Sequence, residues 1–308
     1  MQKVNVQKVH SFSGHRDCVY TLQPSHQPNV FFSGAGDGMI VKWDQSNPES
    51  GELIAKLPNS VYSLFYHHQT NQLIAGHNYD GIHILDPENK KEIGSLHFTK
   101  AAIFDIQVWN ENVYTAAGDG VISCIDLKKL KMVKNEKRSE KSARSMTIHP
   151  SRRELAVGYS DHFIRVFDAE TLELKYEWQA HGNSVFTVRY SPDGNFLITG
   201  SRDARLKVWD VQAGYLPVTE IVAHMYAINH IEFSPDGKHF VTCSMDKSIK
   251  VWDLEELKLL KVIDRARYAG HGTSVNKLLW TSYQSHLLSA SDDRSISAWN
   301  LIFNFQDE

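Results

Sequence analysis

Gly200-Ser201-Arg202-Asp203-Ala204-Arg205-Leu206-Lys207-Val208-Trp209-Asp210 is the stretch on which the fold turns. Small residues lead into an Asp and a turn, apolar residues then alternate with polar ones, and an aromatic-Asp pair closes the run. Alternation of this kind marks a strand with one face buried. Upstream, Phe186-Thr187-Val188-Arg189-Tyr190 alternates in the same way, and Ser191-Pro192-Asp193-Gly194 follows as a tight turn. Pro presets φ there and Gly supplies a positive φ. Asn195 to Gly200 is the next strand and Leu206 to Trp209 the third. The turn returns one unit later as Ser234-Pro235-Asp236-Gly237.

Outward from that stretch, the closing dipeptide recurs as Trp43-Asp44, Leu85-Asp86, Ile125-Asp126, Phe167-Asp168, Trp209-Asp210, Trp252-Asp253 and Trp299-Asn300. The successive gaps are 42, 40, 42, 42, 43 and 47 residues. No segment keeps helical periodicity over three turns, so the chain reads as all-β. A period of about 40–45 residues ending in this dipeptide resembles the WD-repeat family, whose units are four-stranded propeller blades. The resemblance covers essentially the whole chain. It implies one domain over residues 1–308, a seven-bladed β-propeller of four-stranded antiparallel blades with repeats ending near 44, 86, 126, 168, 210, 253 and 300. The last repeat ends near Leu301 without its fourth strand, while Val4 to Phe12 precedes the first inner strand. In propellers of this type the N-terminal strand takes the outer place in the last blade, which covers an otherwise open edge.

At 308 residues the chain exceeds the usual single-domain size, but repeat architectures escape that limit by burying each unit against the next. Its 42% hydrophobic and 22% charged residues suffice for a full core. No run approaches the roughly 20 apolar residues of a membrane span, and the first residues lack the apolar run of a signal peptide. A net charge of -3 and a pI near 6.6 argue against nucleic acid as a partner. Cys18, Cys124 and Cys243 are isolated and read as reduced thiols, with the cytoplasm as the expected compartment. His67, His68, His77 and His83 cluster in sequence but straddle turns and strands. They read as exposed or satisfied side chains, and no metal or cofactor is expected.

Blades of the family often carry a buried chain of Asp, His, Ser or Thr, and Trp. Four repeats match it at fixed offsets: His15, Ser33, Asp37, Trp43; His181, Thr199, Asp203, Trp209; His224, Thr242, Asp246, Trp252; and His271, Ser289, Asp293, Trp299. Each His precedes its Trp by 28 residues and its hydroxyl by 18. A His-Ser-Asp set invites comparison with a hydrolase triad, but four copies each ending on a Trp read as structural networks. The second, third and fourth repeats put Leu85, Ile125 and Phe167 in the Trp position. The third keeps Thr115 and Asp119, the fourth has Val157 for the hydroxyl, and His97 is not expected to complete a network. These blades are expected to rely more on apolar packing.

The resemblance also implies a top face, onto which the Gly-His loops and Asp turns open and where partners dock. A rim position lies 23 residues before each Trp position, five after the His where a tetrad is present: Tyr20, Tyr62, Phe104 (two residues closer, its hairpin being shorter), Arg144, Phe186, Asn229 and Asn276. Aromatic and Arg side chains dominate binding hot spots, so Tyr20, Tyr62, Phe104, Arg144 and Phe186 are candidate partner-binding residues. They serve equally well as caps on the core between blades. Arg202, and Arg265, Arg267 and Tyr268 in an insertion before Gly270-His271, join them as candidates for an acidic or phosphorylated segment. Lys134 to Lys141 reads as a solvated charged loop. The function expected is a protein-interaction scaffold or adaptor, monomeric or within a larger complex, that binds a protein or peptide on its top face. The alternative is an enzyme or small-molecule binder using the central channel, whose inner-strand candidates are Thr21, Ser63, Asp105, Ser145, Thr187, His230 and Lys277. That set holds no repeated ligand type.

Overall fold

A computed structural model describes residues 2–305. The alternating segments form seven four-stranded antiparallel sheets. In blade 1 the strands run Val19–Pro24, Val30–Ala35, Met39–Asp44 and Gly51–Lys56 from the channel outward. The second strand is apolar on both faces and wholly buried, whereas the outermost keeps one face in solvent. Each inner strand packs against that of the next blade, and the seventh returns to the first. The core therefore lies between blades. Between blades 1 and 2 it consists of Phe32, Ile40, Val61, Leu64, Tyr66, Leu73 and Leu85 among others. Close approach of neighbouring blades is what requires Gly200, where a Cβ would stand 2.7 Å from Ile228 Cγ2.

Closure follows the expected route. Strand Gln2–Ser13 pairs antiparallel with Ser295–Phe305 as the outer strand of blade 7, with Val4 opposite Phe303 and Phe12 opposite Ile296. Val4 joins the core shared with blade 6, and Phe12 sits edge-on to Phe31 and Trp43 of blade 1 at 5.1 and 5.7 Å. One strand thus ties three blades. Among the described residues, no helix is long and apolar enough to cross a membrane, and the three cysteines are free.

The four tetrads are built. In blade 5, His181 Nδ1 is 3.1 Å from Asp203 and its Nε2 is 2.8 Å from Thr199 Oγ1, which accepts from Trp209 Nε1 at 3.0 Å. Carboxylate only accepts, so Nδ1 carries the proton and Nε2 accepts from the hydroxyl. Blades 6 and 7 repeat this geometry, and blade 1 does so with a longer His15–Asp37 contact of 3.3 Å. Burial alone would raise the Asp203 carboxyl, but the His181 hydrogen bond and the amides of Arg205 and Gly182 hold it well below its ordinary value.

Blades 2 to 4 correct one expectation, because only the third lacks a replacement network. In blade 3 the Thr115 hydroxyl is buried without a partner among the described residues. His97 turns away from it, its Nδ1 lying 2.7 Å from Asp80 of blade 2. In blade 4 the buried Arg165 guanidinium donates to Asp161 at 2.8 Å and to Glu177, and lies over the Tyr159 ring at 4.6 Å. In blade 2, His77, Asp80 and His83 gather at the turn between the second and third strands. Apolar packing is common to all seven blades and does not set these three apart.

Candidate functional site

Each inner strand breaks register with its neighbour once, between Val19 and Thr21, Val61 and Ser63, Ile103 and Asp105, Ala143 and Ser145, Val185 and Thr187, Ile228 and His230, and Val275 and Lys277. The residue skipped each time is the rim residue. A bulge leaves one residue out of the ladder and re-aims its side chain. Seven bulges therefore direct Tyr20, Tyr62, Phe104, Arg144, Phe186, Asn229 and Asn276 into one funnel of about 230 Å³ at the channel mouth. Phe104 keeps this place although its loop is shorter.

Within the funnel the five aromatic and Arg side chains form a continuous half-buried arc. Ring centroids lie 4.7 Å apart for Tyr20–Tyr62 and 5.5 Å for Tyr62–Phe104. The Arg144 guanidinium then sits between two rings, 4.3 Å from Phe104 and 4.8 Å from Phe186. Among the described residues it has no hydrogen bond or ion pair. Burial lowers its pKa and the charge of nearby Arg202 adds to the strain on it, yet a guanidinium stays protonated. Asn229 and Asn276 differ: they donate to Val275 O at 2.8 Å and Val19 O at 3.0 Å, tying blade 6 to 7 and 7 to 1.

Beneath the funnel, Asp105, Ser145, His230 and Lys277 form a waist shared with a lower chamber of about 280 Å³. Asp105 accepts from Met146 N at 2.7 Å and Ile106 N at 2.9 Å, and burial raises its pKa against the pull of Lys277. Burial also lowers Lys277, and it holds His230 neutral. The next channel-facing positions, one alternation further along the same strands, add Arg189 and Glu232, paired at 2.7 Å. That second ring was absent from the sequence reading, although the period of two predicts it. Its acid and base neutralise each other.

The insertion before Gly270 forms a single helical turn, Arg265–Tyr268, capped by Asp264. Asp264 grips Arg267 through Nε at 3.0 Å and a terminal nitrogen at 2.7 Å. Tyr268 packs half-buried on the core between blades 6 and 7, under Lys261 at 5.6 Å. Of the two arginines, Arg265 alone has no acidic partner among the described residues, and neither arginine nor Tyr268 lines the funnel. Arg202 is exposed beside the mouth. Much of Lys134 to Lys141 continues an outer strand, and its charges pair locally, Lys137 with Glu140 at 2.7 Å and Arg138 with Glu136 at 2.6 Å. The structure adds Met225, Tyr226 and Met245, 80%, 61% and 50% exposed on the top of blade 6. Their signal was His224-Met225-Tyr226 standing where blades 1, 5 and 7 have small or polar residues.

Comparison with known proteins bears on the whole ring. The family model described as "WD domain, G-beta repeat" matches residues 6–44, 172–210, 216–253 and 263–300. The chain is 42% identical over 66 residues to the Denticleless protein homolog of Gallus gallus, covering 20% of this chain and 9% of that protein. It is 23% identical over 246 residues to Striatin-3 of Bos taurus, covering 72% of this chain and 31% of that protein. It therefore spans less than a third of either relative's length. The solved WD40 beta propeller domain of Doa1 superposes with a TM-score of 0.85 at 16% identity, over 96% of this chain and 97% of that one.

Proposed function

Because the chain belongs to the WD-repeat family, whose propellers are generally protein-interaction scaffolds and not catalysts, we propose that it holds a partner protein across the mouth of its channel. The partner presents an acidic segment, and a carboxylate or phosphate on that segment meets Arg144. The observation that carries this reading is the Arg144 guanidinium, half-buried between Phe104 and Phe186 without an anion. A cation so placed has lost part of its hydration and gained only ring faces in return. An incoming anion recovers that loss through charge-assisted hydrogen bonds, which are about twice as strong as neutral ones. The two flanking rings restrict the guanidinium, so less rotamer freedom is lost on binding. Tyr20, Tyr62, Phe104 and Phe186 supply apolar area around it, the composition of a hot spot. Arg202 and Arg265 guide an acidic partner from the periphery, while Met225, Tyr226 and Met245 extend the surface over blade 6.

Affinity capture from cells, with partners quantified by mass spectrometry, tests the reading. Arg144→Ala in a folded propeller is expected to reduce the captured partners at least ~10-fold, the size of a typical hot-spot loss. Arg267→Ala is expected to leave them unchanged, its charge being already held by Asp264. Partners that survive both Arg144→Ala and a Tyr62, Phe104, Phe186 triple Ala variant would place the interaction elsewhere on the molecule.

A further inference from the structure

Blade 2 departs from the other six at the turn between its second and third strands. In the others the residue five before the Trp position is left-handed: Gly38, Gly120, His162, Ala204, Lys247 and Arg294 have φ from 65° to 82°. In blade 2 the positive φ falls one residue earlier, on Tyr79 at 72°, and again on Gly81 at 136°. Only glycine fits that second place, since a Cβ would stand 2.0 Å from the Leu96 carbonyl oxygen. The slip puts Asp80 where the other blades have the left-handed residue. Its carboxylate meets His77, at the end of the second strand, and His83, on the third. In the ladder His77 lies opposite Gly81 and His83 opposite Ala75, so the two imidazoles are diagonal neighbours on one face of the sheet.

His77 Nδ1 is 3.3 Å from His83 Nε2 and 3.4 Å from Asp80 Oδ2, and His83 Nε2 is 3.7 Å from the same oxygen. Hydrogen bonds prefer about 2.7–3.2 Å, so these are poor ones. Two of them fit the edges of a tetrahedron, and the His83–Asp80 distance is slightly long for one. Bonds of about 2.0–2.2 Å from Zn2+ to imidazole nitrogen and carboxylate oxygen set neighbouring ligands about 3.3–3.6 Å apart.

The contacts just outside this triangle are of ordinary length. His83 Nδ1 is 3.0 Å from Glu92 Oε2, and His97 Nδ1 is 2.7 Å from Asp80 Oδ1. Glu92 only accepts, so it fixes the proton on His83 Nδ1 and leaves the Nε2 lone pair aimed inward. Carboxylate partners orient metal-binding imidazoles in this manner. His77 Nε2 is buried without a partner among the described residues, so the polar contacts of that ring lie on its Nδ1 side.

We propose that His77, Asp80 and His83 form a divalent metal site suited to Zn2+, with a fourth position open to solvent. Two imidazoles and one carboxylate suit Zn2+ and disfavour Mg2+ or Ca2+, which take oxygen ligands in larger number. The Asp80 side chain is 38% exposed, which gives the ion its way in. A bound ion joins the second strand, the turn and the third strand of a blade that lacks the Trp-Thr-His-Asp chain. It also fixes Tyr79, which projects 62% exposed beside it.

The full chain, stripped with chelator, is titrated with ZnCl2 by calorimetry and with CoCl2 by visible absorption. One equivalent is expected, with the d–d bands of a four-coordinate Co2+ ion. His83→Ala and Asp80→Asn are each expected to weaken Zn2+ binding at least ~10-fold, and Glu92→Gln by ~10-fold through the orientation of His83. His68→Ala, at an exposed imidazole, is expected to leave it unchanged. The cobalt spectrum is read on the wild-type chain, so a variant that fails to fold does not shelter the proposal. Wild-type chain without a one-to-one complex, or with Zn2+ affinity unmoved by His83→Ala, overturns it.

Discussion

Blades 5, 6, 7 and 1 make one unbroken arc of the ring and blades 2, 3 and 4 the other. In the first arc each blade carries the same chain from Trp through a hydroxyl and His to Asp. In the second, an imidazole cluster, an unpartnered Thr115 and an Arg165 ion-pair network occupy the corresponding region. Both arcs nevertheless build four-stranded blades whose second strands are buried along all or nearly all of their length. Packing between blades is thus sufficient for the fold, and the tetrad is an added restraint on it. The family model matches the four tetrad blades alone, so recognition of the repeat tracks the network more than the architecture. The rim divides along nearly the same line. Asn229 and Asn276, in the tetrad arc, commit their amides to neighbouring strands, whereas the aromatic rings run from blade 1 through blades 2 and 3 to Phe186.

The comparison breaks most visibly at its seam. Deleting residues 1–12 removes Val4 and Phe12 and bares the Ser295–Phe305 edge, and the melting temperature is expected to fall by roughly 10 °C or more. A scanning calorimetry shift below ~2 °C would show that the tetrad arc does not depend on closure. Next in size is a matched pair of substitutions. Thr242 Oγ1 is 2.7 Å from His224 Nε2 and accepts from Trp252 Nε1 at 3.0 Å. Thr242→Val strands both groups and is expected to cost about 2–6 kcal/mol, at about 1–3 for each orphan. Thr115→Val removes a hydroxyl that has no partner and is expected to lie within ~0.5 kcal/mol of wild type or to stabilise. Equal losses in urea unfolding would erase the distinction between the arcs.

The smallest effect is one of pH. Burial lowers the pKa of His181 and His224, so the folded chain takes up their protons less readily than the unfolded chain does. Their contribution is complete above about pH 6.5 and declines as pH falls through the folded values. Asp203 and Asp246, held low by these histidines and by backbone amides, add a second loss in stronger acid. At pH 7, amides of blades 2 to 4 are expected to exchange faster than those of blades 5 to 7. Between pH 7 and 5, protection factors in blades 5 and 6 are expected to drop more than those in blade 3. Mass-spectrometric hydrogen exchange reads both, and a uniform loss around the ring would contradict the second.

Repetition decided what was legible in the sequence. The blades, the tetrads and the rim recur at constant offsets, so one clear instance calibrates the others. Even Phe104, two residues off in spacing, lands on its bulge. Single events were opaque. A one-residue slip at Tyr79 brings His77, Asp80 and His83 together, and nothing periodic announces it. Arg165 and Tyr159 stand two and eight positions before the Trp slot, where the other blades share no single residue type. Arg267 looked like a free cation because a single helical turn gives no periodicity, yet that turn is what delivers it to Asp264. Arg189 and Glu232 were within reach of strand alternation carried one step further.

The outer strand of blade 7 also sets an order of events in folding. Pairings within blades join neighbours in sequence and can form early, but Gln2–Ser13 meets Ser295–Phe305 across nearly the whole chain. The entropic toll of such a loop must be met before its contacts stabilise anything, so the ring is expected to close last. Until then the Ser295–Phe305 edge stands unpaired, open to strands of other molecules. On a ribosome the ring's earliest strand must wait for its latest, and the interval between them is the propeller's period of greatest exposure to misassembly.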